Sequence, residues 1–358
     1  MRLRDTGSDR FTKAWRWMTG IGAASKVLPA LVALSLLAAA CSPATVTKPP
    51  KPRTTVTTAT AMTWSAPRLI DPSGYLSSVS CPSPSFCVAV DHSGNAVTYN
   101  GASWSAPRSI DPNEMLMSVS CPSPSFCVAV DNVGLATTYS DGSWLSPKTV
   151  SGGAFDSVSC PSPSFCVGLS GGIITYNGST WITPSKKILI SQRSFGHLRA
   201  LSCPTTRFCA AVGYGNHFSG HVITYNGATW SSPHALDLDS GLFSLSCPTA
   251  RFCVVIDDQG QAVTYNGVSW SAPVSIALSG PREGKNPSFL TSVSCSSPSF
   301  CVAVGSSGDA FTFNGTSWSS PKVIDPNGIL ESVSCPTARF CAAVDYAGKV
   351  IVDEAGHL

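Results

Sequence analysis

Seven tryptophans, Trp64, Trp104, Trp144, Trp181, Trp230, Trp270 and Trp318, recur at intervals of 40, 40, 37, 49, 40 and 48 residues, and each opens a near-copy of one unit. The units begin WSAPRLID, WSAPRSID, WLSPKTV, WITPSKK, WSSPHAL, WSAPVSI and WSSPKVID, run on through a segment close to LxSVSCPSPSFCVAV, and finish on a variant of AVTYNGxSW. Each unit must therefore be one supersecondary element that hides its apolar face against its neighbours. A period near 40 residues fits four strands per unit and is too long for a solenoid coil of one strand per turn.

Every unit holds four short runs rich in Val, Ile, Ala and aromatics, separated by Pro, Gly, Asn and Ser clusters, the pattern of strands joined by tight turns. In the first complete unit the expected strands are Leu76 to Cys81 (innermost), Cys87 to Val90, Ala96 to Tyr99 and Trp104 to Ile110 (outermost), with Asp91-His92-Ser93-Gly94 and Asn100-Gly101 as turns that accept positive φ. The chain enters the repeats on an outer strand, Trp64 to Ile70, and leaves them on three strands between residues 330 and 352 that lack a following Trp. Seven outer strands match seven inner triplets only if the first outer strand joins the last triplet, which also leaves few open edges. The expected fold is an all-β, seven-bladed β-propeller with four-stranded blades and one-plus-three closure over residues 64–358, with no helix.

Residues 1–40 read as a targeting segment: Arg2, Arg4, Arg10, Lys13, Arg16 and Lys26 precede an apolar run from Val27 to Ala40, too short to span a bilayer. The run ends LLAAAC, and this resembles a bacterial lipoprotein signal, which implies lipid on Cys41 and an extracytoplasmic, membrane-anchored protein. Residues 41–63, rich in Thr and Pro, read as a disordered tether. Of the 15 cysteines, Cys41 stands alone and the rest form seven Cys-x5-Cys pairs: Cys81 with Cys87, Cys121 with Cys127, Cys160 with Cys166, Cys203 with Cys209, Cys247 with Cys253, Cys295 with Cys301, and Cys335 with Cys341. In an exported chain an even set at one spacing reads as disulfides rather than metal ligands.

The formal net charge is +3, but residues 1–40 and the tether hold nine of the 23 basic groups, leaving the propeller slightly acidic and without a basic stripe for phosphates. Nucleic acid is excluded as a partner, no cofactor or metal is expected, and the chain reads as a monomer.

Seven copies in one chain allow a self-comparison. The Trp, the Pro three residues later, the Cys pair and the Phe before its second Cys are shared, so they serve the blade, with Trp as a core anchor. The segment TYNGxSW, as in Thr98 to Trp104, Thr224 to Trp230 and Thr264 to Trp270, resembles the Asp-box of sialidase-like propellers, with Asn in place of Asp except at Asp141, and the whole is also kelch-like in its repeat. In that class the motif is structural and lies away from the catalytic face, so the resemblance implies a fold and no activity.

One position varies freely: four residues before the first Cys of each pair stand Ser77, Met117, Asp156, Arg199, Phe243, Thr291 and Glu331, at the entry of the innermost strand beside the channel. Three insertions, residues 185–198, 213–221 and 277–290, are expected on the same rim, because outer-to-inner connections and second-to-third turns emerge on one face. Asp156, Arg193, Arg199, His217, Arg282 and Glu331 are the resulting candidates for ligand contact. His197, His217 and His221 read as loop histidines, because a third metal ligand is missing. Asp71-Pro72, Asp111-Pro112 and Asp325-Pro326 read as turn starters. Arg207, Arg251 and Arg339 lie in turns on the opposite face. The leading function is a surface-anchored, non-catalytic recognition or scaffolding module for envelope glycan or protein; the alternative is a glycan-active hydrolase or lyase using Asp156, Glu331 and Arg199 at the channel, since paired carboxylates serve as acid and nucleophile or base.

Overall fold

The computed structural model describes residues 62–183, 196–215, 219–236, 240–276 and 289–354. Among these there is no helix; the strands form seven antiparallel sheets in meander order, inner strand to outer strand. The seventh sheet closes as expected: Arg68–Leu69 pairs with Lys349–Glu354, which continues to Phe340–Asp345 and Leu330–Thr337. The protein is a seven-bladed β-propeller.

The inner three strands of each blade run longer than expected, Leu76–Ser83, Phe86–Asp91 and Asn95–Tyr99 in the first. The outer strand is shorter, and this corrects the expected Trp104 to Ile110. Only Arg108–Ser109 pairs as a strand, with a separate bridge between Trp104 and Tyr99. Pro107 stands between the two contacts, and without an N–H it cannot carry the ladder across. Ser105 repairs the gap, its N–H donating to the Thr98 carbonyl at 2.8 Å and its Oγ accepting the Thr98 N–H at 3.0 Å. Ser231 with Thr224, Ser271 with Thr264 and Ser319 with Thr312 repeat this exchange.

All seven cysteine pairs are disulfides within their own C-x5-C unit, linking the inner strand to the second. Apolar core lies between blades, in seven clusters. One unites Leu76, Val79, Ala89 and Val97 of the first blade with Phe340, Ala342, Val344 and Val350 of the last. Each repeat Trp is partly buried against one of these clusters, as in Trp104, Trp230 and Trp318, so the tryptophans are anchors of the blade contacts.

Around the channel the inner strands are too far from one another to share a sheet, and serine bridges them. The Oγ of Ser80 accepts the Cys121 N–H, and the same contact follows from Ser120 to Cys160, Ser159 to Cys203, Ser202 to Cys247, Ser246 to Cys295, Ser294 to Cys335 and Ser334 back to Cys81, all at 2.9–3.0 Å. Seven bonds thus run head to tail around the ring. The first serine of the SVS motif adds a second, incomplete circle, with Val79, Val119, Val158, Val293 and Val333 as donors. Leu245 has no such bond because Ala200 stands where the serine would be.

Candidate functional site

The rim where inner strands begin and second strands turn into third strands differs from blade to blade. In four of the seven blades the second-strand turn is clasped to the segment leading into the inner strand: His92 N–H donates to the Tyr75 carbonyl, Asn132 N–H to Met115, Ser306 N–H to Phe289 and Tyr346 N–H to Ile329. In these blades the rim backbone is therefore fixed by repeated bonds, while its side chains are free to differ. Tyr75, Met115, Val133, Phe289, Ile329 and Tyr346 all project there and keep 41–44 % of their surface exposed. Tyr75 and Tyr346, from adjacent blades, meet edge to face with ring centroids 4.4 Å apart, and Tyr75 lies beside His92.

The charged groups form two linked contacts across the third, fourth and fifth blades. His197 Nε2 lies 2.8 Å from Asp156 Oδ1. That hydrogen bond, helped by the aspartate charge, raises the imidazole above its ordinary value; burial and the nearby Arg199 oppose the rise. The exposed Arg199 places its guanidinium over the Phe243 ring, 4.1 Å from the centroid, a cation–π contact between neighbouring blades. Glu331 is half-buried, and burial pushes its carboxyl up, against the attraction of Arg199.

The structure sorts six of the seven variable positions, all but Met117, into two kinds. Ser77 Oγ donates to the Val90 and Leu116 carbonyls, and Thr291 Oγ1 donates in the same way to Val304 and Leu330, so both hydroxyls tie one blade to the next. Asp156, Arg199, Phe243 and Glu331 instead build the rim chemistry. Of the candidates read from sequence, Asp156 and Arg199 come together through His197, and Glu331 feels the Arg199 charge. Arg193, His217 and Arg282 lie outside the described residues, as does Cys41. His221 turns its Nδ1 to the Ser219 carbonyl at 2.8 Å. Sequence reasoning missed the exposed apolar set six residues before the first cysteine, Tyr75, Met115, Phe289 and Ile329, although its signal was a second variable column two places from the first.

Two concave spaces lie at the periphery instead, between outer strands. One of about 340 Å³ is lined by Trp64, Ser65, Arg68, Tyr99, Trp104 and Val352; another of about 520 Å³ by Phe252, Thr264, Val274, Phe313, Trp318 and Ser319. At the equivalent place between the sixth and seventh blades, Met62 packs beside Trp64 and Phe300, and Lys322 Nζ donates to its carbonyl at 2.6 Å. The rim is the better candidate for recognition, because the grooves are lined by residues the repeat uses for packing.

No family model matches the chain, and none of the curated proteins does. Solved structures do. A structure titled "YCF48 bound to D1 peptide" is similar over 81% of this chain and 96% of its own, at 14% identity and a TM-score of 0.63. YCF48 from Cyanidioschyzon merolae matches at 15% identity and a TM-score of 0.61, over 82% of this chain and all of its own. The WD40 repeats of RRP9 match at 11% identity and a TM-score of 0.65, over 82% and 99%. At these identities the likeness is one of fold.

Proposed function

We propose that the protein is a non-catalytic recognition module whose rim binds a protein partner through an exposed peptide segment, held at the cell envelope by lipid on Cys41 and the tether over residues 41–63. The observation that carries the reading is the rim's composition on a backbone fixed by repeated bonds. Tyr, Met, Phe, Ile and Arg side chains converge there from different blades, and exposed aromatic, Met and Arg residues are the types enriched at the cores of protein interfaces. An apolar set of this kind suits a peptide better than a polyhydroxylated glycan, and Asp156, Arg199 and Glu331 supply charges to orient it. One structural neighbour has a peptide bound, which is consistent with such use of the fold. The likeness of TYNGxSW to the Asp-box accords with a scaffold: Asn100 Oδ1 accepts the Ala102 and Ser103 N–H groups and holds a turn on the opposite face.

The test is panning of a random peptide library against the full chain with its disulfides intact. Enriched peptides are expected to lose at least tenfold in affinity on Arg199→Ala or Tyr346→Ala. Selection of peptides indifferent to both variants, or binding confined to a glycan array, would overturn the reading.

A further inference from the structure

Two repeat positions vary together. Seven residues after the Trp and four residues after the second Cys stand Asp71 with Asp91, Asp111 with Asp131, Asp237 with Asp257, and Asp325 with Asp345; in the other three units neither is acidic, with Ser151 and Ser170, Ile188 and Gly213, and Ala277 and Gly305. The first position lies two residues past an outer strand and the second at or next to the end of the second strand of the following blade, so each pair sits at a blade junction. At two of the junctions without a described carboxylic pair an O–H···O bond stands instead: Ser151 Oγ and Ser170 Oγ are 2.6 Å apart, and Ser240 Oγ donates to Asp257 Oδ2 at 2.6 Å.

At the two junctions flanking the first blade both partners are aspartates, and all four are at most 4 % exposed. The second-strand member is already an acceptor. Asp91 takes the N–H groups of Ser93 and Asn95 on Oδ1 and the Asn95 amide on Oδ2; Asp131 takes those of Val133, Gly134 and Leu135 on Oδ1. No N–H or hydroxyl reaches Oδ2 of Asp71, Asp111 or Asp131. Each outer-strand carboxyl lies within hydrogen-bonding reach of its partner carboxyl. Two carboxylates so close and out of water do not both stay ionised.

We propose that Asp71 and Asp111 are neutral carboxylic acids in the folded protein, each donating its Oδ2–H to the second-strand aspartate of the next blade, so that one bound proton is a structural part of each junction. The other ionisable neighbours add no positive charge: Asp71 faces Asp91 beside the Ser73 donors, and Asp111 faces Asp131 and Glu114. The third pair is the contrast. Lys349 Nζ lies 3.4 Å from Asp345 Oδ2 and 3.9 Å from Asp325 Oδ2, in the place held by Asn95 and Leu135 in the first two blades, and its charge opposes the rise that burial and Asp325 impose on the Asp345 carboxyl.

Burial first, then the Asp131 charge, pushes Asp111 up to about 6 from an ordinary 3.8, and burial likewise raises Asp71, against its Ser73 hydrogen bonds. Because the folded form then binds more protons than the unfolded chain above pH 3.8, stability is greatest in acid and falls as pH rises toward the folded value, after which it is level. For Asp111 alone the unfolding constant rises roughly a hundredfold across that window.

The test is urea unfolding of the full, oxidised chain from about pH 4.5 to about pH 7.5, beside Asp71→Asn/Asp111→Asn, whose amides donate at every pH. Parallel series in His92→Gln and His197→Gln remove two rim imidazoles that titrate in this range, the first lowered by burial and the second raised by Asp156. The wild type is expected to weaken as pH rises, and the double variant to weaken clearly less over the same range, with only the raised carboxyls of Asp257, Glu331 and Asp345 left to titrate. The infrared carbonyl band of protonated carboxylic acids near pH 5 should be weaker in either single variant than in the wild type and weaker again in the double, the part left by those three groups being common to all, and this decides the matter even if the double variant folds poorly. An unchanged pH dependence with the band at its wild-type strength would overturn the proposal. So would a wild-type midpoint at neutral pH that falls with a chelator and recovers with calcium, because a divalent cation would then hold the carboxylates.

Discussion

The channel wall and the rim above it belong to the same strands, yet one is made of identical contacts and the other of different ones. Around the channel, Ser80, Ser120, Ser159, Ser202, Ser246, Ser294 and Ser334 each do the same thing, and seven disulfides stand beside them. Three and five residues before these serines the residue type changes from blade to blade, as in Tyr75 and Ser77, Met115 and Met117, and His197 and Arg199. A ring closes only if every junction has the same geometry, which explains the uniform wall. A rim held by backbone bonds places no such demand on its side chains, and the recognition surface we propose lies where the demand is absent.

The comparison is broken most severely at the closure. Deleting residues 62–70 removes the strand that pairs with Lys349–Glu354 and uncovers Phe340, Val344 and Val350, so cooperative unfolding, followed by circular dichroism, is expected to be lost. Opening one disulfide is milder. Cys335→Ala/Cys341→Ala frees a loop of sequence separation 6, and the chain-entropy account gives a loss of about 2 kcal/mol, measured by urea titration. A single serine of the wall costs less: Ser294→Ala leaves the buried Cys335 N–H without its acceptor, for about 1–2 kcal/mol. At the rim, His197 contributes through its proton. Its raised value means that the Asp156 contact stabilises fully below the unfolded value of 6.5 and fades as pH rises through the higher folded value, so the wild type is expected to lose a small Tm advantage over His197→Gln between mildly acid and mildly alkaline pH.

Much of this was legible in the sequence. The Trp period and the strand census led to seven blades and the closure, and the common C-x5-C spacing to the pairing, because each is a repeated local rule. The outer strand was read too long, since Pro107 interrupts a ladder that the residue pattern alone runs through. Asp71, Asp111 and Asp325 start turns, as the Asp-Pro pattern indicates, and their carboxyls are buried besides, at 0–4 % exposure. Their signal was present as joint variation with Asp91, Asp131 and Asp345, but those partners lie one blade onward and only the fold makes them neighbours. The rim was located by its variability. What its side chains do was not legible: Ser77 and Thr291 are spent on neighbouring carbonyls, and the Arg199–Phe243 contact joins blades.

The division between a wall that builds and a rim that reads is tested most directly by measuring peptide affinity and thermal stability together on two sets of variants. The rim set is Tyr75→Ala, Met115→Ala, Arg199→Ala and Ile329→Ala; the opposite-face set is Arg207→Ala, Arg251→Ala and Arg339→Ala, all in exposed turns. With peptides selected on the wild type, the rim set is expected to lose tenfold or more in affinity while stability stays within about 0.5 kcal/mol of the wild type, and the opposite-face set to change neither. Affinity that survives the rim substitutions and falls with the opposite-face arginines would contradict the account.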